Sequence, residues 1–227
     1  MIVNDLTNIA VNAAQDTATG KGLSRRKARP DELILIVPLS TTESEYEIVL
    51  DDSEYRNIPN AKGLKDRDGF VATGAAIGVL PVPIVNGNEQ FTAANPVYYN
   101  DPEIFDTPAA DPATELSEAQ AINAIHHGRM DVRTNEALRI DNFPLRRFRT
   151  VQEPGGSAGD INQETGDEVK SLGAVVSFKG GDDNAIVIRF FCRDKALING
   201  DADRNNYLYV RLIGASVKGD TTASYTK

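Results

Sequence analysis

Val82-Pro83-Ile84-Val85-Asn86-Gly87-Asn88-Glu89-Gln90-Phe91-Thr92 places an Asn-Gly pair between two apolar runs. Such a pair takes positive φ at both turn residues, and the twist of that turn matches the twist of paired strands, so this is the strongest short hairpin signal in the chain. β-structure extends upstream. Phe70-Val71-Ala72 and Ile77-Gly78-Val79-Leu80 are apolar, and Gly74 and Gly78 predict bends or a bulge. Glu32-Leu33-Ile34-Leu35-Ile36-Val37-Pro38-Leu39 is a continuous apolar run whose branched residues predict a strand buried on both faces, with Pro38 at its end or at an edge. Tyr46-Glu47-Ile48-Val49-Leu50 is placed to pair back onto it, and the polar residues 51–69 read as a loop.

Downstream, residues 100–118 carry Asp101, Glu103, Asp106, Asp111, Glu115 and Glu118 without a basic residue, and Pro102, Pro108 and Pro112 break any sheet. This reads as an exposed acidic loop running into a helix. Asp111 is the expected cap, Leu116, Ala119, Ile122 and Ile125 form an apolar stripe, and Gly128 is the stop. Met130, Val132 and Thr134 then alternate with Arg129, Asp131 and Arg133 as in a half-exposed strand, and Ala137-Leu138-Arg139-Ile140 continues after a turn near Asn135. Residues 152–168 are a glycine-rich connection. Leu172 to Phe178 and Ala185 to Cys192 flank Lys179-Gly180-Gly181-Asp182-Asp183-Asn184, which predicts a second hairpin, and Tyr207 to Ile213 is the final strand. Near the N-terminus, Leu6, Ile9, Ala10 and Ala13 give weak helical spacing between a cap at Asn4 and Gly20.

About nine strands and two short helices, with no repeat and no βαβ alternation, predict a mainly β fold: an antiparallel β-sandwich or jelly roll. The expected organisation is an N-terminal helix and basic arm over 1–30, a single sandwich domain over 31–218 with the acidic Pro-rich loop and helix at 100–128, and a polar tail over 219–227. The length of 227 residues suits this, and a composition 41% hydrophobic and 25% charged excludes wholesale disorder. Cys192 is the single cysteine, so no intramolecular disulfide holds the fold; it reads as a small buried thiol. The first twenty residues lack the basic start and apolar block of a signal peptide, and no run approaches a bilayer span, so folding in a reducing cytoplasm is expected.

Chemistry-bearing patterns are sparse. His126 and His127, the two histidines, are adjacent and so point about 100° apart on a helix, which suits a helix C-terminus better than a shared metal. Asp201-Ala202-Asp203-Arg204-Asn205-Asn206 resembles the opening of a calcium loop, but Asn206 stands where the turn glycine belongs, Leu212 where the closing glutamate belongs, and Arg204 brings a positive charge; a surface turn is preferred. Gly155-Gly156-Ser157-Ala158-Gly159 lacks the following GK[ST] of a phosphate cradle. No metal, cofactor or catalytic residue is expected from these patterns.

The charge layout is more informative. Lys21, Arg25, Arg26, Lys27 and Arg29 put five positive charges and no acid in nine residues, leaving 19 basic against 33 acidic residues elsewhere, a balance of −14 in a chain of net charge −9. Three readings stay open: an arm contacting phosphates without sequence preference, since it has no aromatic for stacking; an arm docking on the acidic body of a neighbouring subunit; and a solvated segment. Arg139, Arg146, Arg147 and Arg149 form a second basic cluster.

Residues 129–151, RMDVRTNEALRIDNFPLRRFRTV, form strand, turn and strand leading into a Phe-Pro-Leu anchor. With the strands at 172–192 and 207–213, this pattern resembles bacteriophage virion structural proteins of jelly-roll capsid type. The resemblance covers less than half the chain. It implies a capsid or minor capsid subunit, not an enzyme, that assembles with copies of itself and other virion proteins, with the basic arm turned inward and the product located in the virion after synthesis in the host cytoplasm. The competing expectations are a non-catalytic β-sandwich binding module or adhesin, and a carboxylate-using hydrolase on a β scaffold.

Overall fold

A computed structural model describes residues 2–20, 28–40, 43–98, 101, 103–134, 137–148, 169–190, 198–199 and 202–218. These form nine strands and two helices: α1 (Ile2–Gly20), β1 (Ala28–Pro38), β2 (Glu45–Val49), β3 (Gly69–Val85), β4 (Asn88–Glu89), α2 (Glu118–His126), β5 (Arg129–Thr134), β6 (Ala137–Pro144), β7 (Lys170–Lys179), β8 (Asn184–Arg189) and β9 (Arg204–Val217).

The strands build two antiparallel sheets. In the first, sheet A, β1, β9 and β3 are successive neighbours, and the far edge of β3 carries β7 along its first half and the two-residue β4 at its end. In the second, sheet B, the order is β2-β8-β5-β6. The pairs β1 with β9, β2 with β8, β3 with β7 and β5 with β6 are the rungs of one long two-stranded ribbon folded at the β5–β6 turn. Wrapping that ribbon brings β9 beside β3 and β8 beside β5. The result is a jelly roll. Its outermost rung is Ala28 opposite Val217.

β3 explains why the sandwich holds together. Phe70, Ala72, Ala75, Ile77 and Val79 face sheet B, while Val71, Ala76, Leu80 and Val82 face the other way. The change of parity is a bulge between Ala72 and Gly74 that shifts the register with both β7 and β9. Helix α1, together with residues 91–98 towards the far end of β3, covers the outward face of sheet A, so β3 is buried on both sides and reads as apolar sequence but for Thr73. Leu6, Ala10 and Ala14 meet this face, whereas Ile9, expected to do so, is 50% exposed. Small residues at 10 and 14 let the helix approach Val71 and Ala215 closely. The bulge residue Thr73 donates from Oγ1 to the Leu6 carbonyl at 2.8 Å. A Cβ at Gly78 would stand 2.6 Å from the Val97 carbonyl oxygen, so that glycine is required by close approach of backbone, whereas one at Gly74 would press on the Leu6 side chain, 2.8 Å from its Cδ1.

The predicted Asn86-Gly87 hairpin is present, with φ of 52° and 75° at its two turn residues, joining β3 to β4. Three expectations are corrected. Tyr46–Val49 does not pair with β1; β2 joins β8 in the opposite sheet, because the chain changes sheets between β1 and β2. Residues 179–184 are not a hairpin turn, since β7 belongs to sheet A and β8 to sheet B. They make a corner, where the Gly180 backbone amide donates to the Asp68 carbonyl at 2.8 Å and Asn184 Nδ2 donates to the Lys179 carbonyl at 2.7 Å. Nor does Asp111 cap α2. Ser117 does, in a capping box with Gln120, while Asp111 organises its own turn by accepting from the Ala113 amide and the Thr114 hydroxyl.

Candidate functional surface

The space between the sheets is filled. Leu33, Leu35, Ile77, Val79, Val210 and Leu212 of sheet A meet Ile48, Met130, Ile186 and Ile188 of sheet B, with Phe105 and Phe148 sealing the cluster. Each is nearly inaccessible to water. Burial of a side chain of this size contributes about 1.5–3 kcal/mol, so this inter-sheet cluster serves stability.

The two outer faces differ. Sheet A is covered by α1 and, towards the far end of β3, by residues 91–98. On sheet B, Ile186 and Ile188 of β8 point inward, so alternation turns Ala185, Val187 and Arg189 outward, flanked in register by Val49, Glu47 and Glu45 of β2 and by Arg133, Asp131 and Arg129 of β5. Arg189 bridges this face: its Nε donates to Glu45 Oε2 at 2.5 Å and its Nη1 donates to Asp131 Oδ2. Asp131 also accepts the Asn142 amide on Oδ1 at 2.8 Å. Burial alone would raise the Asp131 carboxyl, but the Asn142 amide and the Arg189 guanidinium outweigh it and hold the group below the usual aspartate range. At one end of the face, Ser44, Glu45, His127, Gly128, Arg129, Arg189 and Phe190 line a shallow, open depression of about 310 Å³.

Beyond Arg189 the face turns basic. Arg129 is exposed and Arg133 half-buried; Arg139, exposed on β6, donates from Nε to Thr134 Oγ1 at 2.7 Å. Pro144 leads from β6 into a 3-10 turn, Leu145–Arg147, anchored by buried Leu145 and Phe148. Arg146 and Arg147 stand exposed on it, the Arg147 guanidinium 5.3 Å from the centre of the Phe143 ring. Among the described residues, no ion pair engages Arg129, Arg133, Arg139, Arg146 or Arg147.

A polar cluster that the sequence did not announce joins the acidic loop to the body. Glu118, in the first turn of α2, is fully buried. It accepts from Arg204 Nη2 at 2.6 Å, from Asn206 Nδ2 at 2.8 Å and from the Thr107 amide at 3.3 Å, while Arg204 also reaches Asp106 at 3.3 Å. The Asn206 amide proton goes to Asn199 Oδ1 at 2.6 Å. The residues resembling a calcium-loop opening therefore disperse. Arg204 and Asn206 turn to Glu118, and Asn205 donates to Glu89 at 2.6 Å. Only the pairing of a buried acid with residues 86 and 88 positions away could have revealed the cluster, and no local spacing encodes that.

Of the basic arm, Arg29 is exposed on β1 opposite Ser216, and Lys21, Arg25, Arg26 and Lys27 lie outside the described residues. So do Arg149, Gly155 to Gly159, Cys192 and Asp201. His126 is buried in the last turn of α2, and His127 caps that helix, its Nδ1 2.8 Å from the Asn123 carbonyl oxygen. Among the described residues no helix is long and apolar enough to cross a membrane.

Fold and surface together define a jelly-roll protein with a solid apolar interior, one helix-covered sheet face and one charged face. No protein-family model, curated protein or solved structure matches the chain.

Proposed function

We propose that the chain is a virion structural protein, a capsid or minor capsid subunit of bacteriophage type that assembles with copies of itself into a shell. The observation that carries this reading is the wrapped ribbon whose inter-sheet space is occupied by its own apolar side chains. A jelly roll built this way meets its partners on faces, edges and loops, which is the geometry of a tile. The basic arm, Lys21, Arg25, Arg26, Lys27 and Arg29, supports the same reading as a contact with the genome or with a neighbouring subunit. If five phosphates are neutralised, the affinity falls with salt by about 0.7–0.9 log units per contact for each tenfold rise.

The test is sedimentation velocity with electron microscopy on the full chain over a wide concentration range. Growth from subunits to closed or extended particles is expected. A chain that stays monomeric at its highest soluble concentration, with or without nucleic acid, overturns the reading.

A further inference from the structure

We propose that the basic side of sheet B, formed by the β5–β6 outer face and the 145–148 turn, docks the acidic segment 101–115 of a second copy of the chain. This rests on the shell reading above and names the contact by which one subunit holds the next.

Sheet B lacks the helix that covers sheet A: α1 packs against β1, β3, β7 and β9, and neither helix has comparable contacts with the strands of sheet B. Among the described residues its last strand, β6, pairs on one side alone, and it exposes Leu138, which is 51% accessible. Arg133 lies opposite that leucine with Arg139 next to it on β6, while Arg129, Arg146 and Arg147 stand at the other end of the ladder by Pro144; among the described residues none of the five is in an ion pair, and Asp141 is the exposed acid of β6. The complement is present in the same sequence. Asp101, Glu103, Asp106, Asp111 and Glu115 form a segment with no basic residue of its own. Among the described residues, Arg204 pairs with it through Asp106 and is also held by Glu118.

The acidic segment is also pre-shaped. The Glu103 amide donates to Asp101 Oδ1 at 2.9 Å, the Ala113 amide to Asp111 Oδ1 at 3.1 Å and the Ala110 amide to Glu115 Oε2 at 3.1 Å, while Phe105 anchors the segment in the core. Docking therefore orders little new chain. Guanidinium groups match carboxylates in a planar, two-bond fork and lose less hydration than an ammonium would. In a chain of net charge −9, two copies repel unless a basic face of one meets an acidic face of the other, and opposed charge both steers the encounter and fixes its register. Donor and acceptor are different surfaces and every copy carries one of each, so the contact is head-to-tail and repeats into a ring or shell.

Two charge-reversed proteins test this: Arg139→Glu/Arg146→Glu/Arg147→Glu, and Glu103→Lys/Asp111→Lys. Circular dichroism establishes that each folds, and Arg→Gln at the same three positions replaces the first should it not. The expected result is association at least about tenfold weaker for each protein alone, recovered when the two are mixed in equal amounts. Wild-type association that neither reversal changes overturns this contact and leaves the shell reading standing. Loss without recovery on mixing, or loss of single-stranded DNA binding with self-association intact, overturns the second copy as occupant. No self-association by the wild type overturns both.

Discussion

Glu118 is the residue on which the acidic half of the molecule turns. A carboxylate without water is costly unless its lone pairs are filled, and here Arg204, Asn206 and the Thr107 amide fill them. Truncation leaves a mostly buried guanidinium and a buried amide without their acceptor. Glu118→Ala is expected to lose about 3–5 kcal/mol, read as a lower urea midpoint at unchanged slope, with Glu118→Gln intermediate. A midpoint within error of wild type would show the cluster to be solvated. Asp131 makes a pH-dependent contribution of the opposite visibility. Its carboxyl is held low in the folded state, so its stabilisation is fully present above the unfolded aspartate value of about 3.9 and is lost as pH falls through the lower folded value. Asp131→Asn should lower the melting temperature at pH 7 and flatten the fall in melting temperature below about pH 4; a wild-type acid limb retained in the variant would assign that limb to other carboxylates.

At the scale of elements, α1 and the 179–184 corner separate what local sequence encodes from what it does not. The Asn86-Gly87 turn was legible because every determinant lies within the turn. Gly74 signalled a bulge for the same reason. The 179–184 segment has the same composition as a hairpin loop, yet the choice between pairing β8 with β7 or sending it to the other sheet depends on Glu45–Val49, more than a hundred residues earlier. Ser117 outcompeted Asp111 as the α2 cap because Gln120 closes the reciprocal bond to it. At the corner, a Cβ on Gly180 would lie 1.9 Å from the Lys65 carbonyl oxygen, so Gly180→Ala should sharply reduce soluble folded protein, whereas a true surface hairpin would tolerate it. For α1, Ala10→Asp places a charge where Ala10 is wholly buried against Val71 and Ala215. The cost is several kcal/mol at the site, and the expected readout is increased binding of an apolar dye with the strand signal of the sandwich retained. Unchanged dye binding would mean that the helix does not shield sheet A in solution.

For the whole molecule, the class of fold followed from composition, turn spacing and the lack of βαβ alternation, and the jelly roll is what the strand order delivers. The surface was less legible. Arg139, Arg146 and Arg147 stood out by sequence clustering, but Arg129 and Arg133 joined them only through the pairing of β5 with β6. The Glu45–Arg189–Asp131 ladder spans three strands that are remote in the chain. The arm is tested at this scale. Replacing Arg25, Arg26, Lys27 and Arg29 with Ala should reduce nucleic-acid content or particle yield while leaving the melting temperature within about 1 °C, the result for charges that serve contact rather than packing. Unchanged yield and content would remove the arm from assembly.

The rung that pairs Ala28 with Val217 has a mechanical consequence. Force that separates these two points does not shear the β1–β9 ladder as a unit; it opens the first rung, then the next, each bearing the whole load in turn. A body pulled this way peels at low tension, whereas the same sandwich squeezed through its faces is braced by close-packed side chains. The strong axis of such a body runs through its two sheets, and its weak one along the line that parts Ala28 from Val217.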